Sequence, residues 1–293
     1  MSVAVVTDST ACLDAEQAAA LGIHVVPLHV VVGRRSYAEG VDISTAEVAD
    51  LLRKGRERVS TSRPAPGELV ERYREVRART GCDAIVSLHL SGRISGTVEA
   101  AQLAAGAVRD EVRVEVVDTR VLGMALGYAA CSAARAAASG AGPEEVVAVA
   151  RERAAATSTL FYLDSLEHLR RGGRVGTAAA LLGSALAIKP LLTLRDGQVE
   201  MLEKVRTRNR ALARLEERCV ELAREAGRRE VDLAVHHLGW PDRAEALRDR
   251  LAQALPRADV ELVELGAVVA VHTGPGTLAV VVAPRPSADN AST

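Results

Sequence analysis

The stretch AIVSLHLSGRISGT, Ala84–Thr97, decides the fold class. Ala84–Leu90 reads as a buried strand, because it is a short and mostly apolar run that ends in turn residues. Ser91–Thr97 is a Gly/Ser turn that leads into a helix. Its glycines permit close backbone approach, and its amides and hydroxyls stand at a helix N-terminus, where the dipole favours an anion. The segment lacks the lysine of a phosphate-cradling loop and does not match G-x-G-x-x-G, so it gives little support for a nucleotide site. A single carboxylate or phosphate fits it, and so does an ordinary strand-to-helix turn.

Working outward, strand and helix signals alternate. Ser2–Thr7 is a β-branched run that ends in Asp8, Ser9 and Thr10, followed by a helix over Leu13–Leu21 and a strand region over Ile23–Val32. Ser44 caps a helix over Thr45–Lys54 with Glu47 at capping-box spacing. Gly67–Arg79 is a charged helix, Val112–Val117 a strand ending in Asp118 and Thr119, and Val121–Ala138 an Ala-rich helix. Alternation of this kind predicts an α/β fold with a mostly parallel sheet. Ligands of such sheets sit beyond the C-terminal strand ends, which is where Asp8–Thr10, Ser91–Thr97 and Asp118–Thr119 all fall.

The second half changes character. A helix from Pro143 to about Ala156 precedes Leu160–Leu163, a basic loop over Arg170–Gly176 and an Ala/Leu helix. Pro190–Leu194 and Val199–Val205 flank Asp196-Gly197 and read as a hairpin. Helices over Thr207–Ala226 and Pro241–Ala254 alternate with strands over Asp232–Leu238, Val260–Leu265 and Leu278–Val282, and the His272–Gly276 loop is expected to follow an apolar strand directly. These signals divide the chain into an N-terminal domain over 1–160, a C-terminal domain over 161–283 and a polar tail over 284–293 that is expected to be disordered.

Composition narrows the function. Of 293 residues, 48% are hydrophobic and 26% charged, enough to bury a core. A net charge of −1 gives no support for nucleic-acid binding. Aromatic residues are only 2%, so stacking platforms for bases or sugars are improbable, whereas an aliphatic interior suits an alkyl chain. Cys12, Cys82, Cys131 and Cys219 show neither metal-ligand nor disulfide spacing and read as reduced thiols. The opening MSVAVVTDST reads as a first strand with no signal-peptide features, and no apolar run approaches a membrane span, so a cytoplasmic protein with at most transient membrane contact is expected.

Three further segments are candidate sites. Thr61 and Ser62 offer two hydroxyls before Pro64 and Pro66; they either meet a ligand or cap the following helix. Arg170, Arg171 and Arg174 surround Gly172-Gly173, with Lys189, Lys204 and Arg206 further on. Guanidinium groups bind carboxylate or phosphate in bidentate fashion, though a solvated basic turn has the same composition. His272 can donate to an anion or serve as acid or base, or be a hydrogen-bonded turn residue. His236-His237 reads as structural, and no metal site is indicated.

Taken in order, the chain resembles the DegV family from Val3 to about Val282. The resemblance rests on Val6-Thr7-Asp8-Ser9-Thr10, Val26-Pro27-Leu28, Thr61–Pro66, Leu90–Thr97, Arg170–Arg174, Ile188-Lys189-Pro190-Leu191, Lys204-Val205-Arg206-Thr207 and His272-Thr273-Gly274-Pro275-Gly276. It implies a two-domain α/β fold: a mostly parallel N-terminal sheet with flanking helices and a smaller mixed-sheet C-terminal domain, with a fatty acid buried between them. It also implies a non-catalytic role as the lipid-binding subunit of a bacterial fatty acid kinase system. A long-chain fatty acid is then the ligand, no cofactor is tightly bound, and the partner is an ATP-binding kinase subunit that makes acyl phosphate for phospholipid synthesis. The matching motifs assign the carboxylate to Thr61, Ser62, Ser95, Thr97, His272 and Thr273, with Thr61, Ser95 and His272 central. Ser91, Gly92, Gly96, Arg174 and Arg206 lie near the carboxylate or face the kinase. Gly92 stands where the family commonly has a second Ser, Glu39 where it has Asp, and Arg63 where Gln is common; Asp8, Ser9 and Thr10 match without an assigned contact. Two other functions compete: a lipid-responsive regulatory protein without a kinase, and a hydrolase using Ser95 with His272, which the absence of a G-x-S-x-G elbow disfavours.

Overall fold

The computed structural model describes residues 1–176, 178, 188–227 and 229–286. In chain order the elements begin β1 (Val3–Asp8), α1 (Ala15–Ala20), β2 (Ile23–Val26), β3 (His29–Val32), β4 (Arg35–Ala38), α2 (Thr45–Lys54), β5 (Val59–Ser62), α3 (Pro66–Thr80), β6 (Ala84–His89), α4 (Thr97–Ala107), β7 (Arg113–Asp118), α5 (Met124–Ala138) and α6 (Pro143–Ala156). They continue with β8 (Ser158–Tyr162), α7 (Glu167–Gly172), β9 (Leu191–Arg195), β10 (Gln198–Glu203), α8 (Arg208–Glu225), β11 (Val231–Leu238), α9 (Pro241–Ala254), β12 (Asp259–Glu264), α10 (Ala267–Thr273) and β13 (Thr277–Pro284). The chain forms two compact units, Met1–Ile43 with Thr61–Ala155 and Ser44–Ser60 with Ala156–Thr293.

The first unit is built on a parallel sheet in the order β2-β1-β6-β7. Every residue of β6 is buried, as expected of a parallel strand covered on both faces. Leu69, Tyr73 and Val76 of α3 and Ala100, Ala101 and Ala104 of α4 cluster with Val6 and Ile85. The Ala-rich α5 packs against β1 and is buried over most of Met124–Ala134. Its small side chains permit that closeness: a methyl group at Gly127 would lie 2.7 Å from the Ala11 carbonyl oxygen. The expected strand region Ile23–Val32 is broken at Pro27-Leu28, so that β2 joins the parallel sheet and β3 joins a small sheet ordered β4-β3-β5.

The second unit carries a six-stranded mixed sheet ordered β10-β9-β8-β13-β11-β12, in which only β11 and β12 run parallel. The β9–β10 hairpin turns through Asp196 and Gly197 at φ 47° and 78°, the left-handed pair a two-residue hairpin requires. Leu215 and Cys219 of α8 and Leu247 and Leu251 of α9 pack on Val235 and Val280. Burial there pushes the Cys219 thiol pKa up, which suits an inert structural cysteine.

Four expectations need correction. The first concerns the N-terminal domain, expected to be continuous to residue 160. The second unit instead takes Ser44–Ser60, because α2 packs against α10 and Thr45 Oγ1 donates to the Leu265 carbonyl at 3.0 Å. His272 does not follow a strand; it lies in the last turn of α10. Arg170 and Arg171 belong to α7, and the loop starts only at Gly173. The tail begins later than Pro284: that residue pairs with Val231, and Arg285 is bound by Asp232 and Glu230. Residues 287–293 lie outside the described residues, as does the expected Ala/Leu helix apart from Ala178.

Candidate functional site

In the first unit, β1, β6 and β7 lie side by side and parallel, so Asp8, Ser91–Thr97 and Asp118–Thr119 share one edge of the sheet. The Ser91 amide donates to Val121 O at 3.0 Å, and Ser91 O accepts from the amides of Ile94 and Ser95. This closes the turn before α4. The Arg93 amide donates to Ser91 Oγ at 3.1 Å. At the end of the turn Ser95 Oγ and Thr97 Oγ1 are 2.8 Å apart, and the Thr97 amide donates to Ser95 Oγ. Thr97 is fully buried and Ser95 half-buried. One hydroxyl proton is consumed within the pair, so the other is left to donate to an incoming acceptor.

Thr61 is half-buried on β5. Exposed Ser62 turns its hydroxyl to the Arg63 carbonyl at 2.9 Å. Arg63 joins this segment to the neighbouring loop: Nη1 donates to Gly96 O at 2.9 Å and to Glu99 Oε2 at 2.6 Å. A methyl group at Gly96 would stand 2.5 Å from that Nη1, so only glycine lets the guanidinium lie there undisturbed. The Thr61–Ser62 and Ser91–Thr97 segments are thus held together within one unit.

In the second unit His272 rests on the backbone of α7. Its Nδ1 lies 2.2 Å from where a Cβ at Gly172 would be, and the His168 ring stands equally close to the Cβ position of Gly274, whose φ is +74°. Both glycines make room for imidazoles. Burial lowers the His272 pKa to about 4, helped by the positive charge of Arg174 and by His168. His272 is therefore neutral near pH 7. Burial also lowers His168, with help from Arg171. Arg174 Nη1 donates to Gly172 O at 2.5 Å. Thr273 spends its hydroxyl proton on Val269 O at 3.1 Å, so it can only accept. Arg206 is exposed; beside it, Val205 O accepts from the Lys189 amide, so the Ile188–Leu191 and Lys204–Thr207 motifs adjoin.

A Ser-His-Asp array does exist, yet not from the residues the sequence suggested. Ser87, His89 and Asp8 are hydrogen-bonded in line. All three are fully buried and Tyr73 caps the serine, so no substrate can reach it. The signal was Ser87 and His89 alternating with apolar residues in a buried strand, because buried polar groups require partners. Among the described residues no group of three or more His, Cys, Asp or Glu is placed to hold a metal, and no helix is long and apolar enough to cross a membrane.

A family model described as "Uncharacterised protein, DegV family" matches residues 2–285. A DegV domain-containing protein of Streptomyces coelicolor is 53% identical over 284 residues, 97% of this chain and 99% of the relative. The chain belongs to the DegV family. Its fold agrees: a fatty-acid-binding DegV family protein of Thermus thermophilus superposes with a TM-score of 0.88 at 35% identity, covering 97% of this chain and all of the other. DegV of Bacillus subtilis, a fatty-acid-binding protein, gives 0.89 at 33% identity, with 97% and 99% covered. Gly92 and Arg63 each have a local physical consequence. A Cβ at Gly92 would lie 2.9 Å from Asp118 Oδ2, so Asp118, which accepts from the Gly92 and Arg120 amides, occupies the space a serine would use. Arg63 carries the charge that pairs with Glu99.

Proposed function

We propose that this DegV protein is a carrier that encloses one long-chain fatty acid and presents its carboxylate to a separate ATP-binding kinase subunit. The observation that carries the lipid assignment is full-length similarity to the fatty-acid-binding DegV proteins of Thermus and Bacillus at 35% and 33% identity. Thr61, the Ser95–Thr97 pair and His272 are the proposed headgroup donors. A neutral imidazole suits this task, since it donates a hydrogen bond without demanding a counter-charge of its own. Arg174 adds positive potential and, with Arg206, is proposed to serve the phosphorylated product or the kinase. An alkyl chain of about sixteen carbons gains on the order of 10 kcal/mol on burial, before ordering costs. Hydrogen-bond donors to the carboxylate offset the penalty of burying it.

The carrier needs no nucleophile of its own. A carboxylate oxygen attacks the γ-phosphorus of ATP, the bond to ADP breaks, and the acyl phosphate is the product. Positioning and metal-bound ATP are the kinase's contribution. The sealed position of Ser87 agrees with this division of labour. The test is incubation of lipid-loaded protein with Mg-ATP, with and without a purified kinase subunit, and trapping by hydroxylamine. Hydroxamate is expected only when both proteins are present. Hydroxamate from the carrier alone would contradict the assignment, as would none from the pair.

A further inference from the structure

We propose that Asp8, His89, Ser87 and Tyr73 form a buried positioning array that holds the Thr61–Ser62 and Ser91–Thr97 segments in register for an acid headgroup. The proposal deepens the carrier function and rests on it.

All four side chains have no solvent exposure. Tyr73 Oη donates to Ser87 Oγ at 2.9 Å; Ser87 Oγ is 2.8 Å from His89 Nε2; His89 Nδ1 is 3.0 Å from Asp8 Oδ2. Burial pushes the Tyr73 phenol up to about 12, so it remains a donor. The direction of the chain follows from donor counting. With a neutral imidazole, Ser87 accepts from Tyr73 and gives its single proton to Nε2, and His89 gives its Nδ1 proton to Asp8. The Asp8 carboxylate also accepts from the Leu90 amide at 2.9 Å, the Thr10 amide at 3.1 Å and Thr10 Oγ1 at 2.6 Å. Four donors satisfy a buried carboxylate.

Position in the fold gives the array its role. The β1–β6 backbone ladder ends at the Thr7–Leu88 pair. Asp8 binds His89 and Leu90 just beyond it, where the strand gives way to the loop. The His89 carbonyl accepts from Thr119 Oγ1 and the Thr119 amide, and the Ser91 turn then sets the Ser95–Thr97 pair. The other end, Tyr73, lies on α3, which continues directly from the Thr61–Pro66 segment. The array therefore fastens both segments from inside, while Arg63 joins them at the surface. Stability alone does not call for such an array, because buried polar groups replaced by well-packed apolar ones are often neutral or better. A directional array, in contrast, permits one geometry.

The test uses the full chain, cis-parinaric acid and its methyl ester, and reads the ratio of the two affinities. Lost folded protein cancels in that ratio; misplaced headgroup donors do not. Asp8→Asn puts an NH2 against either the Leu90 or the Thr10 amide, neither of which can reverse its polarity. The acid-to-ester preference is expected to fall about tenfold, the size of one misplaced charge-assisted hydrogen bond. Tyr73→Phe keeps the shape and removes only the far donor, so it should fold even if Asp8→Asn does not, and should lower the ratio by a smaller factor. An unchanged ratio in the folded variants, including equal weakening of both ligands, would overturn the array's role while leaving the carrier intact. A wild-type protein that binds neither ligand would overturn the carrier itself.

Discussion

His272 owes its chemistry to a residue with no side chain. Gly172 closes α7 without a Cβ, and the imidazole takes the space. Replacing a helical glycine by alanine ordinarily stabilises a protein by up to about 1 kcal/mol. Here the added methyl would meet the ring, so Gly172→Ala is expected to lose stability in urea unfolding and to release fatty acid faster than wild type. A gain in stability with unchanged release would show that the ring does not need that seat. At this scale the sequence was legible where hydroxyls and glycines clustered at strand ends. It was not legible for Asp118 over Gly92, His168 against Gly274, or His89. Each of those acts through a partner distant in sequence: His89 lies 81 residues from Asp8.

Elements with strong local signals were the ones read correctly. Ser44 and Glu47 form both halves of a capping box at α2, and the Asp196-Gly197 turn has the expected left-handed geometry. Ser44→Ala is expected to cost about 1 kcal/mol and to speed amide exchange selectively over Thr45–Lys54. Uniform acceleration across the second unit would show instead that α2 does not open separately. Besides α7, read as a loop, and the strand region that divides into β2 and β3, the element misread was α10. Its sequence AVVAVHT is rich in β-branched valine, which favours strands by propensity, yet the segment is helical and buried on α2 and α7. Packing outweighed a local preference worth only tenths of a kcal/mol per residue.

At the scale of the whole molecule, alternating strands and helices predicted the parallel sheet, and ordered motifs predicted the family. The partition into units was only partly legible. The change near residue 156 left a trace in the sequence, whereas the transfer of Ser44–Ser60 to the second unit depends on contacts with α10 more than 200 residues away. The aliphatic composition and the scarcity of aromatics agree with an interior suited to an alkyl chain. The most direct measurement is native mass spectrometry of freshly purified protein, followed by organic extraction. A fatty-acid carrier is predicted to show a mass excess of one long-chain fatty acid per chain, recovered in the extract. Protein of apo mass that also takes up no added oleate would contradict the assignment.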